Sequence, residues 1–171
     1  MAHSEDRQLV DGYLKEMDEN LGSGILSLDE DGLCVFDIDG KGRFRFEVPE
    51  AGGHCYLASP LTMVPLEGER RNELLTNALL LNFFGKGTQN ATLSLDPETG
   101  IIHLHYALKI EFLNAITLEN TFSNFVDLAV KVKNSLEGNE TAEAAPATEQ
   151  APTEELAGFG AMANPTFGGF A

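Results

Sequence analysis

Residues 72–84 read NELLTNALLLNFF, and this stretch constrains the fold more than any other. A helix running from about Glu69 to Phe84, closed by Gly85, carries Leu74, Leu75, Ala78, Leu79, Leu80, Leu81, Phe83 and Phe84 on almost every side. A helix that is apolar all round must be covered on more than one side. With 171 residues, the chain is expected to form one domain with an ordinary core and a single sheet to offer that helix. A second copy of the chain is the expected further cover. The seam of such a homodimer falls on Leu74, Leu75, Ala78, Leu79 and Leu81.

Two more helices are legible. The first is expected to start near Ser4 as N-cap, with Glu5 and Asp6 in its first turn, where acidic groups suit the helix dipole. Val10, Leu14, Met17 and Leu21 then form an apolar stripe widened by Leu9 and Tyr13. The last helix is expected after Thr117 and before Gly138. There Leu118, Phe122, Phe125, Ala129, Val132 and Leu136 recur at steps of three and four. Between the helices the text reads as strands: GILSL, LCVFDI, RFRFEV and HCYLASPL before the middle helix, ATLSL and IIHLHYALKI after it. RFRFEV alternates strictly, with Phe44, Phe46 and Val48 on one face and Arg43, Arg45 and Glu47 on the other. The predicted architecture is α+β: a twisted antiparallel sheet packed with three helices in the order α-β-β-β-α-β-β-α, in a homodimer.

Asp-rich turns flank LCVFDI, at Asp29-Glu30-Asp31-Gly32 and Asp37-Ile38-Asp39-Gly40, and raise the question of a calcium loop. The spacing answers it. With Gly40 as the loop glycine, Val35 and Phe46 stand where oxygen ligands belong; with Gly32, the closing glutamate falls on Ile38. Aspartate and glycine serve here as turn residues between strands. His103 and His105 share a strand face without a third metal ligand at telling spacing, and are expected on an exposed face. FFGKGTQN lacks the phosphate-loop frame, and no nucleophile motif is present. The expectation is a protein without catalytic residues, metal or cofactor. Cys34, among Leu33, Val35 and Phe36, reads as a small buried hydrophobe.

Charge narrows the partners. The formal net charge is −16, so nucleic-acid phosphates and anionic membrane surfaces are repelled. The two cysteines have no CxxC spacing and suit a reducing cytoplasm. MAHSEDRQ does not read as a secretory signal, and ALLLNFF is too short to span a bilayer. The domain is expected over residues 1–136. Residues 137–171 hold six of the acidic residues, no Lys or Arg, and much Ala, Pro and Gly, and are expected to be a disordered tail ending in Phe159, Phe167 and Phe170.

What remains is a surplus of apolar surface. Leu33 and Val35 lie on one face of LCVFDI, and Cys34, Phe36 and Ile38 on the other, while GILSL adds Ile25, Leu26 and Leu28. Either helices cover both sheet faces or an apolar row is left to bind something.

Over residues 5–136 the segments GSGILSLDEDGLCVFDIDG and NELLTNALLLNFFGKGTQNATLSLDPETGIIHLHYAL, followed by an amphipathic helix, resemble the CesT/Tir-chaperone family of type III secretion chaperones. The resemblance implies a small cytoplasmic homodimer that performs no reaction and needs no cofactor. Such a protein holds the N-terminal region of a secreted effector in extended form; contact with the secretion ATPase is a further expectation. Carried onto this chain, the cargo patch made by the first helix and the sheet would involve Val10, Leu14, Ile25, Leu28, Cys34, Phe36, Phe44 and Phe46. A regulatory or adaptor domain of the same topology is the alternative, and an unrecognised small enzyme a further one.

Overall fold

The computed structural model describes residues 2–138, with side chains from Glu5 onward. The chain runs through α1 (Ala2–Leu21), β1 (Leu33–Ile38), β2 (Gly42–Glu47), β3 (His54–Met63), α2 (Glu69–Asn82), β4 (Thr92–Leu95), β5 (Ile101–Lys109) and α3 (Ala115–Glu137). Short 3-10 turns follow α2 at Phe83–Gly85 and β5 at Ile110–Phe112. The expected α+β order is therefore present. The tail expected over 137–171 lies, from residue 139 on, outside the described residues.

The strands form one antiparallel sheet in the order β1-β2-β3-β5-β4. Pro60 sits inside β3, and the pairing of β3 with β5 shifts register between Pro60 and Thr62. Proline has no N–H to give the ladder, and a bulge absorbs the lost bond. Alternation sorts the side chains. Cys34, Phe44, Phe46, Cys55, Leu57, Ile102 and Leu104 are buried in one core with Val10, Leu14 and Met17 of α1 and the apolar stripe of α3. Val35, Arg43 and Arg45 point the other way and are exposed. Helices thus cover one sheet face and leave the other open.

Phe36, Phe44 and Phe46 of the sheet meet Phe122 of α3 at ring-centroid distances of 5.6, 5.9 and 5.1 Å, and Phe125 closes on Phe44 at 6.4 Å. This aromatic cluster fixes α3 across β1 and β2. The helix is also pinned at both ends. Asn114 accepts from the Thr117 N–H while Thr117 accepts from the Asn114 N–H, and Gly138 ends the helix in the left-handed conformation. The helix accordingly begins two residues before Thr117. At the other end of the chain α1 starts at Ala2, so Ser4 lies within its first turn rather than at its cap.

GILSL is not a strand. Its Ile25 and Leu28 N–H groups donate to the carboxylates of Asp18 (3.3 Å) and Asp11 (2.9 Å) on α1. Ser23 and Ser27 donate their hydroxyls to the same two carboxylates. Asp11 and Asp18 are seven residues apart, two turns on one helix face, so they hook an extended segment along α1. Backbone groups satisfied there have no call on a sheet neighbour. A second clamp joins α1 to the strands: Arg7 donates to the carbonyls of Val48 (3.0 Å), Glu30 (3.0 Å) and Asp31 (2.7 Å). Gly32, at φ +81°, passes so close that a side chain there would strike Arg7 and the Val48 carbonyl.

Candidate functional site

The two sheet edges differ. At β4 the Asn82 amide of α2 donates to the Leu93 carbonyl (3.0 Å) and accepts from the Leu93 N–H (2.9 Å), which occupies the middle of that short edge. At β1 the Leu33 N–H donates to the Asp29 carboxylate (2.8 Å) and its carbonyl accepts from the Asp29 N–H (2.7 Å). The main chain of Leu33 therefore faces away from β2. In an antiparallel ladder that direction recurs at every second residue, so Val35 and Asp37 also face outward. Among the described residues no turn or loop takes up their backbone groups. Val35 is 55% exposed and Ile25 54% exposed beside this edge, while Leu28 and Phe36 are half-buried.

The residues expected at the cargo patch are divided by this geometry. Val10, Leu14, Cys34, Phe44 and Phe46 are at most 3% exposed and belong to the core, which corrects their assignment to a binding surface. The periodicity that made them apolar was the periodicity of a core face. Ile25, Leu28 and Phe36 remain reachable. Val35, read in the sequence only as part of a second apolar row, is the exposed member of that row.

The seam expected on α2 divides in the same way. Leu74 and Ala78 are buried against the chain's own core, and Leu75 and Leu81 are half-buried. Leu79 is exposed, and so are Leu80, Phe83 and Phe84, which continue its strip past the helix end. α2 itself ends at Asn82, two residues short of the expected stop, and Phe83–Gly85 finish it as a 3-10 turn.

Charge surrounds the β1 edge. Asp37 pairs with Arg43 at 3.0 Å, and the Arg43 hydrogen bonds hold its carboxyl below the usual aspartate value. Burial pushes Asp11 up, but bonds from Lys15, Leu28 and Ser27 outweigh it and leave the carboxyl lowered. The Ser23 hydroxyl, with the Ile25 N–H, lowers Asp18. Neither thiol is poised to react: burial raises Cys34, and pushes Cys55 up to about 12.

The open sheet face carries a shallow cavity of about 310 Å³ where Arg45, Tyr56, His103 and His105 meet. Burial, with Arg45 nearby, lowers both histidines. His105 and the Ser94 hydroxyl are 3.3 Å apart, and both imidazoles are half-buried rather than fully exposed. Among the described residues no group of three or more His, Cys, Asp or Glu is arranged to hold a metal ion. A second groove, about 510 Å³, runs between Leu9 and Tyr13 of α1 and the β5–α3 connection, beside the exposed Phe112 and Ile116. The sequence pattern missed it because the short β5–α3 connection has no periodicity of its own.

The model of the Tir chaperone protein (CesT) family matches residues 12–133, from the middle of α1 to the last turns of α3. The chain belongs to the Tir chaperone (CesT) family. Solved structures carry the same fold as this CesT-family chain. One is the HopA1–SchA chaperone–effector complex, at 19% identity and a TM-score of 0.58 over 75% of this chain and 95% of that chain. Another is the type III secretion chaperone SycH of Yersinia pestis, in complex with a stable fragment of YscM2 (18% identity, TM-score 0.52, 71% of this chain and 98% of that chain). The fold also occurs in an uncharacterized protein of Methanothermobacter thermautotrophicus, at 14% identity and a TM-score of 0.52 over 78% of this chain and 98% of that one. Fold likeness therefore reaches beyond named chaperones, and membership rests on the family match. No curated protein matches the sequence. No described helix is long and apolar enough to cross a membrane.

Proposed function

We propose that this CesT-family protein is a homodimeric type III secretion chaperone. It holds the N-terminal region of a secreted effector extended and export-competent in the bacterial cytoplasm. The observation that carries the reading is the open edge of β1, with exposed Val35 and Ile25 beside it. An extended peptide adds to such an edge through main-chain hydrogen bonds and sets alternate side chains against the neighbouring apolar surface. An extended segment offers both main-chain rows along its length, so the edge suits clients held unfolded.

Magnitudes favour the anchors over the charges. Covering one leucine-sized side chain is worth about 1.5–3 kcal/mol, and a net hydrogen bond about 0.5–1.5 kcal/mol. An exposed ion pair gives about 0–1 kcal/mol. The acidic residues around the edge therefore speed the encounter with a basic client more than they hold it. The exposed strip Leu79, Leu80, Phe83 and Phe84 supports the homodimer, for which a stable contact needs roughly 1,200–2,000 Å² in total.

The test is capture of the client from lysate of the native host, followed by titration of its labelled N-terminal segment against Val35→Pro. The outward N–H of Val35 is not needed by β2, so proline is tolerated at this edge while strand addition loses a donor. Tenfold or greater weakening with an unchanged melting temperature supports the reading. Unchanged binding by the folded variant overturns the edge as the client site.

A further inference from the structure

Past the C-terminal end of α2 the chain carries an exposed aromatic knob, and Gln89 of the same loop rims an open pocket between β5 and α3. Phe84 is 81% exposed and stands at φ 52°, a left-handed backbone that a phenylalanine rarely adopts. The Phe83 ring braces it at a centroid distance of 4.5 Å. Gln89 and Asn90, at φ 49° and 70°, are the other non-glycine residues with positive φ among the described residues, and both lie on the same loop. Between them and the helix, the Thr88 hydroxyl is buried with no hydrogen-bond partner. The loop is thus held away from its relaxed form over a short distance, with Phe84 turned to solvent.

The pocket is about 230 Å³ and lies beside this loop. Phe125 and Leu128 of α3 and Tyr106 of β5 give it apolar walls; Gln89, Thr121 and Asn124 give it an amide and hydroxyl rim. No charged residue lines it, although the chain carries a net charge of −16. It fits a neutral, ring-sized group. We propose that the occupant is Phe84 of a second copy of this chain, each protomer inserting its knob into the other's pocket. This rests on the homodimer reading above and specifies the contact that locks it.

The arrangement is self-complementary, as a twofold contact requires: the loop that carries the knob also rims the pocket at Gln89, so an axis passing near it exchanges both at once. Leu79, Leu80 and Phe83, just before the knob in the chain, are exposed as well. Covering a phenylalanine removes about 150–250 Å² from water, so two knobs provide about a quarter of a standard interface.

Sedimentation equilibrium of the full chain over a concentration series tests the exchange, with Phe84→Ala removing the knob and Thr121→Trp filling the pocket. Each variant is expected to raise the dimer Kd about a hundredfold or more, and the double variant no further than either single one, because both remove the same contact. Circular dichroism melts confirm folding, and Asn124→Trp replaces Thr121→Trp if that variant melts early. If Leu79→Asp dissociates the dimer while both variants leave Kd unchanged, the exchange is overturned and the homodimer stands. Weakening by Phe84→Ala alone puts the ring at the seam but outside this pocket, and overturns it too. If Thr121→Trp spares the dimer and weakens client binding, the pocket belongs to the client and the proposal is wrong. A wild-type chain that stays monomeric at every concentration overturns both readings.

Discussion

α2 and α3 are both rich in leucine and phenylalanine, yet the fold uses them in opposite ways. α3 buries Leu118, Phe122, Phe125, Val126, Leu128, Ala129, Val132 and Leu136 in the core of its own chain. α2 buries Leu74 and Ala78 and leaves Leu79 and Leu80 in solvent. The ends differ as well. α3 has a reciprocal Asn114–Thr117 cap, whereas α2 begins after Gly68, which offers no side-chain cap, and runs into the turn at Phe83. A stripe is spent where the chain itself can meet it. An apolar surface that goes all the way round is left over for something else.

Substitutions separate the two helices, and the largest effect belongs to α3. Phe122→Ala removes a ring that touches three sheet phenylalanines, and is expected to destabilise the fold by about 3–5 kcal/mol in urea denaturation. A loss below about 1 kcal/mol would mean that α3 is not what holds the sheet. Asn114→Ala comes next, at roughly 1 kcal/mol, since the Thr117 N–H loses its acceptor. Measuring it sharpens the contrast in capping, and no change in stability would show that packing alone sets where α3 begins. The smallest effect on the fold is expected from Leu79→Asp. At an exposed position it should alter the stability of the monomer by no more than about 0.5 kcal/mol while halving the mass seen by light scattering. A folded variant that keeps the wild-type mass removes α2 from the seam.

Much of this architecture is legible in the sequence. The three-and-four spacing of α3 and the alternation of RFRFEV located their buried faces, because each has a single apolar side, although α3 also buries Val126 and Leu128 beside the stripe. Two elements resisted. GILSL has the composition of a strand, and what keeps it out of the sheet is a pair of carboxylates seven residues apart on another element. The cargo patch was misread for a related reason. Val10, Leu14, Phe44 and Phe46 are apolar whether a core or a client covers them, and only the packing of α1 and α3 over the sheet distinguishes the two. On α2 the sequence indicated surplus apolar surface but not which residues carried it.

By itself the sequence determined which segments become helices and, GILSL apart, which become strands, that the chain carries more apolar surface than one core consumes, and that its acidity turns phosphates away. These follow from local periodicity and composition, which need no knowledge of neighbours. The tertiary structure alone decided which apolar residues stay in water, which sheet edge is open, and which of two equally apolar faces of β1 looks outward. Exposure is a relation between elements distant in the chain: among the described residues β1 has β2 on one side and no strand on the other, while Asn82 reaches from α2 to occupy the β4 edge at Leu93.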